Sequence, residues 1–169
     1  MVVKKIYAVV CVLAVCALFG FTLPQKNTGH YEQWLDKNHI GHKIKMSKKG
    51  SKDVYWVDYL GDVQSIKKEV FKFVTITYDT AEKHGVQSKL LAFNSKNELL
   101  GGYFIGSAND LPTKICHNRL VFDYKQSKNA CQQITKVDFF KGIPPRLFVA
   151  CQDKEATIYE FYPDMKAEK

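Results

Sequence analysis

Beyond residue 52 the chain is written in a two-residue rhythm. Apolar and polar side chains alternate, or apolar β-branched and aromatic residues run together for a few positions and then stop at a turn signal. Residues 70–78 (Val-Phe-Lys-Phe-Val-Thr-Ile-Thr-Tyr) make the strongest of these segments. Further strands are predicted at 53–59, 86–93, 99–105, 119–124, 134–140, 147–152 and 156–162. Asn94-Ser95-Lys96-Asn97-Glu98 and Asp153-Lys154-Glu155 read as hairpin turns, and Pro144-Pro145 interrupts the chain between strands. No gap after residue 60 offers a crossover helix of ten or more residues, which favours an antiparallel sheet. The expected fold is mainly β: an antiparallel sheet of about eight strands, as a barrel or a sandwich.

Ahead of this region the period changes. Tyr31, Trp34, Leu35 and Ile40 recur at helical spacing, with Thr28 as N-cap and Gly41 as stop, and predict one N-terminal helix over about 29–39. Earlier still, Lys4 and Lys5 precede an uncharged apolar run of 18 residues, 6–23. Its length lies between a signal-peptide core and a full membrane span, and it has no clean pair of small residues for cleavage. It reads as a cleaved leader or as a retained anchor helix with the lysines on the cytoplasmic side. The chain then divides into leader or anchor (1–23), linker, helix and Lys-rich loop (24–52), β-rich domain (53–162) and polar tail (163–169). Leu13-Ala14-Val15-Cys16 resembles a bacterial lipobox, which implies lipidation of Cys16, although Val15 departs from the small residue of that pattern. Gly20-Phe21-Thr22-Leu23 resembles the start of a type IV pilin, but a pilin's apolar helix follows that point and here it precedes it.

Either leader places the domain outside the cytoplasm, in the periplasm, secreted, or on the membrane. Composition agrees with a folded domain: 13% of residues are aromatic and 25% charged. Net charge is +8, almost all of it lysine, since Arg119 and Arg146 are the two arginines. Lysine is a poor reader of bases and of phosphate geometry, and export argues against nucleic acid as a partner. The stretch Lys43, Lys45, Lys48, Lys49 is a solvated loop or a patch for an acidic surface. In an oxidising compartment Cys116, Cys131 and Cys151 allow one disulfide, expected as Cys116–Cys131 with a loop worth about 3 kcal/mol on the chain-entropy model. Cys116–Cys151 and Cys131–Cys151 stay open.

Candidate chemistry is thin. His39 and His42 stand at i, i+3 but Gly41 ends the helix between them, so no metal is assigned. There is no G-x-S-x-G. Cys116 and His117 are neighbours, and in a strand neighbours point to opposite faces. Asp58 and Asp62 read as turn chemistry around Leu60-Gly61. Aromatics are more informative: several stand as adjacent pairs in strands, so one ring of each pair leaves the core face unless both faces are covered. The predicted interaction surface is Tyr55, Trp56 and Tyr103 with Lys43, Lys45, Lys48 and Lys49. The expected function is a non-catalytic binding or inhibitory protein of the bacterial envelope, without cofactor, whose partner is a protein or envelope component. An accessory subunit of a membrane complex and, behind it, an exported hydrolase using His117 or His84 are the other classes.

Overall fold

The computed structural model describes residues 32–47, 54–79, 86–124, 133–151, 154–163 and 165. These form ten strands: β1 (Ile44–Ser47), β2 (Val54–Gln64), β3 (Val70–Asp79), β4 (Val86–Asn94), β5 (Leu99–Gly106), β6 (Lys114–Cys116), β7 (Arg119–Asp123), β8 (Ile134–Asp138), β9 (Arg146–Cys151) and β10 (Lys154–Tyr162). All pairings between strands are antiparallel. One sheet has seven strands in the order β1-β2-β3-β4-β5-β10-β9, and a second has three, β6-β7-β8. The large sheet ends on β1 and β9 and does not close, so the barrel alternative falls away.

The eight predicted strands are all present. Two short ones, β1 and β6, were not foreseen, and β1 lies where a Lys-rich loop was expected. The predicted helix over 29–39 is corrected. Among the described residues there is no α-helix; Glu32–Trp34 and Lys37–His39 are single 3₁₀ turns. Asp36 interrupts the period, because its extended backbone and its carboxylate, which accepts from the Asn38 N–H, start a second turn instead of continuing the first.

Both faces of the large sheet are covered over its middle. On the inner face Phe71 and Phe73 of β3, Leu90 and Ala92 of β4, and Tyr103 of β5 meet Leu120 and Phe122 of the small sheet. The Phe73 and Phe139 rings lie 4.6 Å apart between centroids. On the outer face Val74, Ile76, Leu91 and Phe93 are closed over by Leu35, with Met46 and Met165 at the margin. Met165 thus belongs to the packing rather than to a loose tail. The Lys72 ammonium pins the covering segment by donating to the Leu35 carbonyl at 3.2 Å and to Asn97 Oδ1 at 2.7 Å.

A bulge in β2 changes which side chains face inward. Tyr59 pairs with Val74 and Gly61 with Phe73, leaving Leu60 extra. Before the bulge Trp56 and Asp58 lie on the inner face; after it Val63 does, and Asp62 turns outward, where it accepts a hydrogen bond from the Tyr59 hydroxyl. Asp58 and Asp62 are therefore strand residues on opposite faces, which replaces the expected turn.

Gly101 is where β5 meets β10. Its φ is +139°, and a Cβ there would lie 2.4 Å from the Tyr162 carbonyl oxygen and 2.8 Å from Pro163 Cα. Both atoms are backbone and cannot swing away. Gly101→Ala is expected to lower stability by about 2 kcal/mol or more, read as a lower urea midpoint at unchanged slope.

Candidate functional site

At the β1 edge of the large sheet the inner face turns from apolar to polar. Trp56 pairs with Thr77, and Thr77 with Ser88; Asp58 pairs with Thr75. Thr75, Thr77 and Ser88 are buried, at 6%, 7% and 0% exposure, so a hydroxyl-lined extension of the core runs up to Trp56. The Ser88 hydroxyl stands 3.5 Å from that of Thr77.

Two cations sit on the Trp56 ring. Lys45 is the cross-strand partner of Trp56, and Lys43 lies two residues before it on the same side of the edge. The ammonium groups of Lys43 and Lys45 are each 5.6 Å from the ring centroid. Both lysines are exposed and the indole is half-buried. The ring quadrupole attracts both ammonium groups without removing their charge.

Asp58 lies beneath this cluster. Burial holds its carboxyl above the ordinary 3.8, while the charges of Lys43 and His42 pull it the other way. Its Oδ1 is buried and has no hydrogen-bond partner among the described residues.

The sequence expectations divide at this point. Trp56, Lys43 and Lys45 are brought together. Tyr55 faces the other side of β2 and packs 6.0 Å from the Tyr78 ring, at the margin of the outer core. Tyr103 is corrected: it is 0% exposed, in the inner core, with its hydroxyl donating to the Pro144 carbonyl at 2.6 Å. Burial raises its phenol well above the ordinary 10.0. Lys48, Lys49, Cys131 and His84 lie outside the described residues. Cys116 carries a free thiol among the described residues, and its expected partner Cys131 lies outside them.

A second cluster lies at the β6–β7 turn. His117 and Asn118 have φ of 50° and 60°, the left-handed pair of a two-residue hairpin. Asn118 ties the turn to β2: its Nδ2 donates to the Gln64 carbonyl at 2.8 Å, and its Oδ1 accepts from the Gln64 N–H at 2.6 Å. Because His117 is in the turn, its Nδ1 comes within 3.1 Å of Cys116 Sγ, against the expectation that the two point apart. An open cleft of about 360 Å³ beside it is lined by His117, Asn118, Arg119, Asp138 and Phe140. Among the described residues no three His, Cys, Asp or Glu side chains converge as metal ligands.

The third feature is apolar. Phe104, Phe148, Ile158 and Tyr162 are 45%, 58%, 50% and 49% exposed on the outer face of β5, β9 and β10. The adjacent aromatics split between the two faces as expected, but Tyr103 is the inward ring and Phe104 the outward one.

Fold and clusters define a two-sheet antiparallel β protein with a lysine–tryptophan cluster on one sheet edge. No family model matches the chain, and no curated protein or solved structure is significantly similar to it.

Since the folded Asp58 carboxyl holds its proton to higher pH than the unfolded one, ionising it opposes folding. The stability contributed by the neutral acid is complete below pH 3.8 and is lost as pH rises through the folded value. Asp58→Asn is expected to be more stable than wild type at pH 7, with the difference closing toward pH 4, as measured by urea unfolding across that range.

Proposed function

We propose that this chain is a non-catalytic binding module of the bacterial envelope, held to the membrane by residues 6–23, and that Lys43 and Lys45 on Trp56 receive an anionic group of a protein or envelope partner. The observation that carries the reading is the pair of exposed ammonium groups held over one indole; among the described side chains the acid that Lys43 faces is Asp58, whose carboxyl is partly desolvated. Ordering lysine side chains usually costs entropy at the moment of binding. Here the ring meets part of that cost beforehand. The lysine-rich balance of the chain supports an acidic partner, and its scarcity of arginine argues against nucleic acid.

Double replacement Lys43→Gln/Lys45→Gln is expected to weaken salt-sensitive binding of the full chain to its own envelope fraction about tenfold, a loss of about 1.4 kcal/mol. Lys114→Gln/Lys136→Gln, on the small sheet, serves as the charge-matched control. Equal binding by the two doubles would remove the cluster from the function.

A second reading rests on the contact between Cys116 and His117. His117 Nδ1 lies 3.1 Å from Cys116 Sγ, the spacing of a cysteine and a neighbouring base. On that reading His117→Ala slows iodoacetamide alkylation of the Cys116 peptide at pH 7 by about tenfold, followed by mass spectrometry. Equal rates would reduce the contact to a by-product of the tight turn. The binding reading is preferred because Cys116 itself does not line the neighbouring cleft.

A further inference from the structure

The outer face of the large sheet is covered at one end and bare at the other. From β1 to β4 it is closed by Leu35 and Met165. Across β5, β10 and β9 it exposes Phe104, Phe148, Ile158 and Tyr162. Phe148 and Ile158 are direct cross-strand partners, and so are Arg146 and Glu160 in the next pair on the same side. The Arg146–Glu160 pair thus stands on this face between the Phe148–Ile158 pair and Tyr162, so apolar side chains flank one ion pair. Its two charges face one another, with Arg146 Nη2 and Glu160 Oε1 3.2 Å apart. Tyr162 lies opposite Gly102, beside the covered end.

We infer that this strip lies in the interfacial layer of a lipid bilayer, so that the outer face of the domain is its membrane side. The inference rests on the reading of residues 6–23 as a retained anchor. Its argument is where the chain enters. The first described residues, from Glu32, lead straight into Leu35, which sits on this same outer face. Only residues 24–31 separate that point from the apolar run. Eight residues reach at most about 29 Å when fully extended. An anchored chain must therefore hold this domain close to the bilayer, and Leu35, early in the described chain, lies on the face that carries the strip.

The side chains suit that place. Phe and Ile offer apolar surface, Tyr sits well at the boundary with one wet end, and an arginine beside them can lay its stem on the layer and keep its head in water. A second copy of the chain fits less well. Four large side chains, each about half exposed, present on the order of 400 Å². A stable dimer buries about 800 Å² on each partner. A tethered domain needs no such area, because its anchor already supplies a high local concentration at the surface. In this orientation Trp56, Lys43 and Lys45, on the inner face, are on the side of the sheet turned from the bilayer.

The test places single tryptophans in the full chain, reconstituted into vesicles of phosphatidylcholine and phosphatidylglycerol with brominated acyl chains. Phe148→Trp and Ile158→Trp report the strip, and Ile134→Trp on β8 reports the opposite layer; the unsubstituted chain gives the background of Trp34 and Trp56. The emission added at 148 and at 158 is expected to fall by about half on brominated lipid, as for a group buried a few ångströms into the interface, while that at 134 is unchanged. Protein that floats with the vesicles after a carbonate wash but shows no quenching at 148 and 158 overturns the inference and leaves the anchor standing. Equal quenching at 134 overturns it as well, since the domain then has no preferred face. Self-association that Phe148→Ser abolishes, without lipid quenching, assigns the strip to a second copy and overturns it too. Failure to float overturns the anchored reading, and the inference with it.

Discussion

β3 can be stable only if both of its faces are covered. Phe71 and Phe73 leave one side of it, Val74, Ile76 and Tyr78 the other, and each is nearly or completely removed from solvent. A half-buried strand alternates apolar with polar; this one is apolar in both phases, so a single sheet with one wet face could not hold it. The rest of the structure answers that demand. The small sheet brings Leu120 and Phe122 to the inner side, and Leu35 is laid over the outer side with Lys72 fixing its backbone. Removing a fully buried ring such as Phe73 from such an interior costs about 3–5 kcal/mol, a large part of the stability of an ordinary domain.

The two covers are unequal, and the inequality generates both surface features. Toward the β1 edge the inner face changes from Phe71 and Phe73 to Thr75 and Thr77 on the same strand, so the core ends in hydroxyl groups. Trp56 and Asp58 continue that polar end, and the lysines of the edge strand close on the indole. On the outer face the cover is a short segment with few apolar side chains to spend. It reaches β1 to β4 and leaves β5, β10 and β9 bare. A cation cluster and an apolar strip thus arise on opposite faces of one sheet, at opposite ends.

Much of the fold was legible because β-branched and aromatic runs with period two have few other interpretations. What escaped was whatever depends on partners distant in sequence. Adjacent aromatics announce that one ring points outward, but parity is set across the ladder. Tyr103 is inward because it pairs with Leu90 and reaches the Pro144 carbonyl, neither of which local sequence reveals. β1 and β6 were missed because strands of four and three residues carry too few alternations to show a period. The helical spacing of Tyr31, Trp34 and Leu35 misled for a related reason: Leu35 is indeed buried, but Asp36 restarts the turn before a helix can propagate.

The bulge at Leu60 shows how one residue decides what the candidate site contains. Had β2 run without it, the register Trp56↔Thr77, Asp58↔Thr75 would have continued, and Asp62 would lie on the inner face with Asp58. The Asp62 carboxylate would then be driven against Phe71 in the apolar inner core, where burying it is costly. With the bulge, Asp62 passes to the outer face and takes the Tyr59 hydroxyl, and Val63 replaces it against Phe71. Among the described side chains the two lysines at this edge face one partly desolvated carboxyl, Asp58, so an anionic partner meets lysine charge in excess.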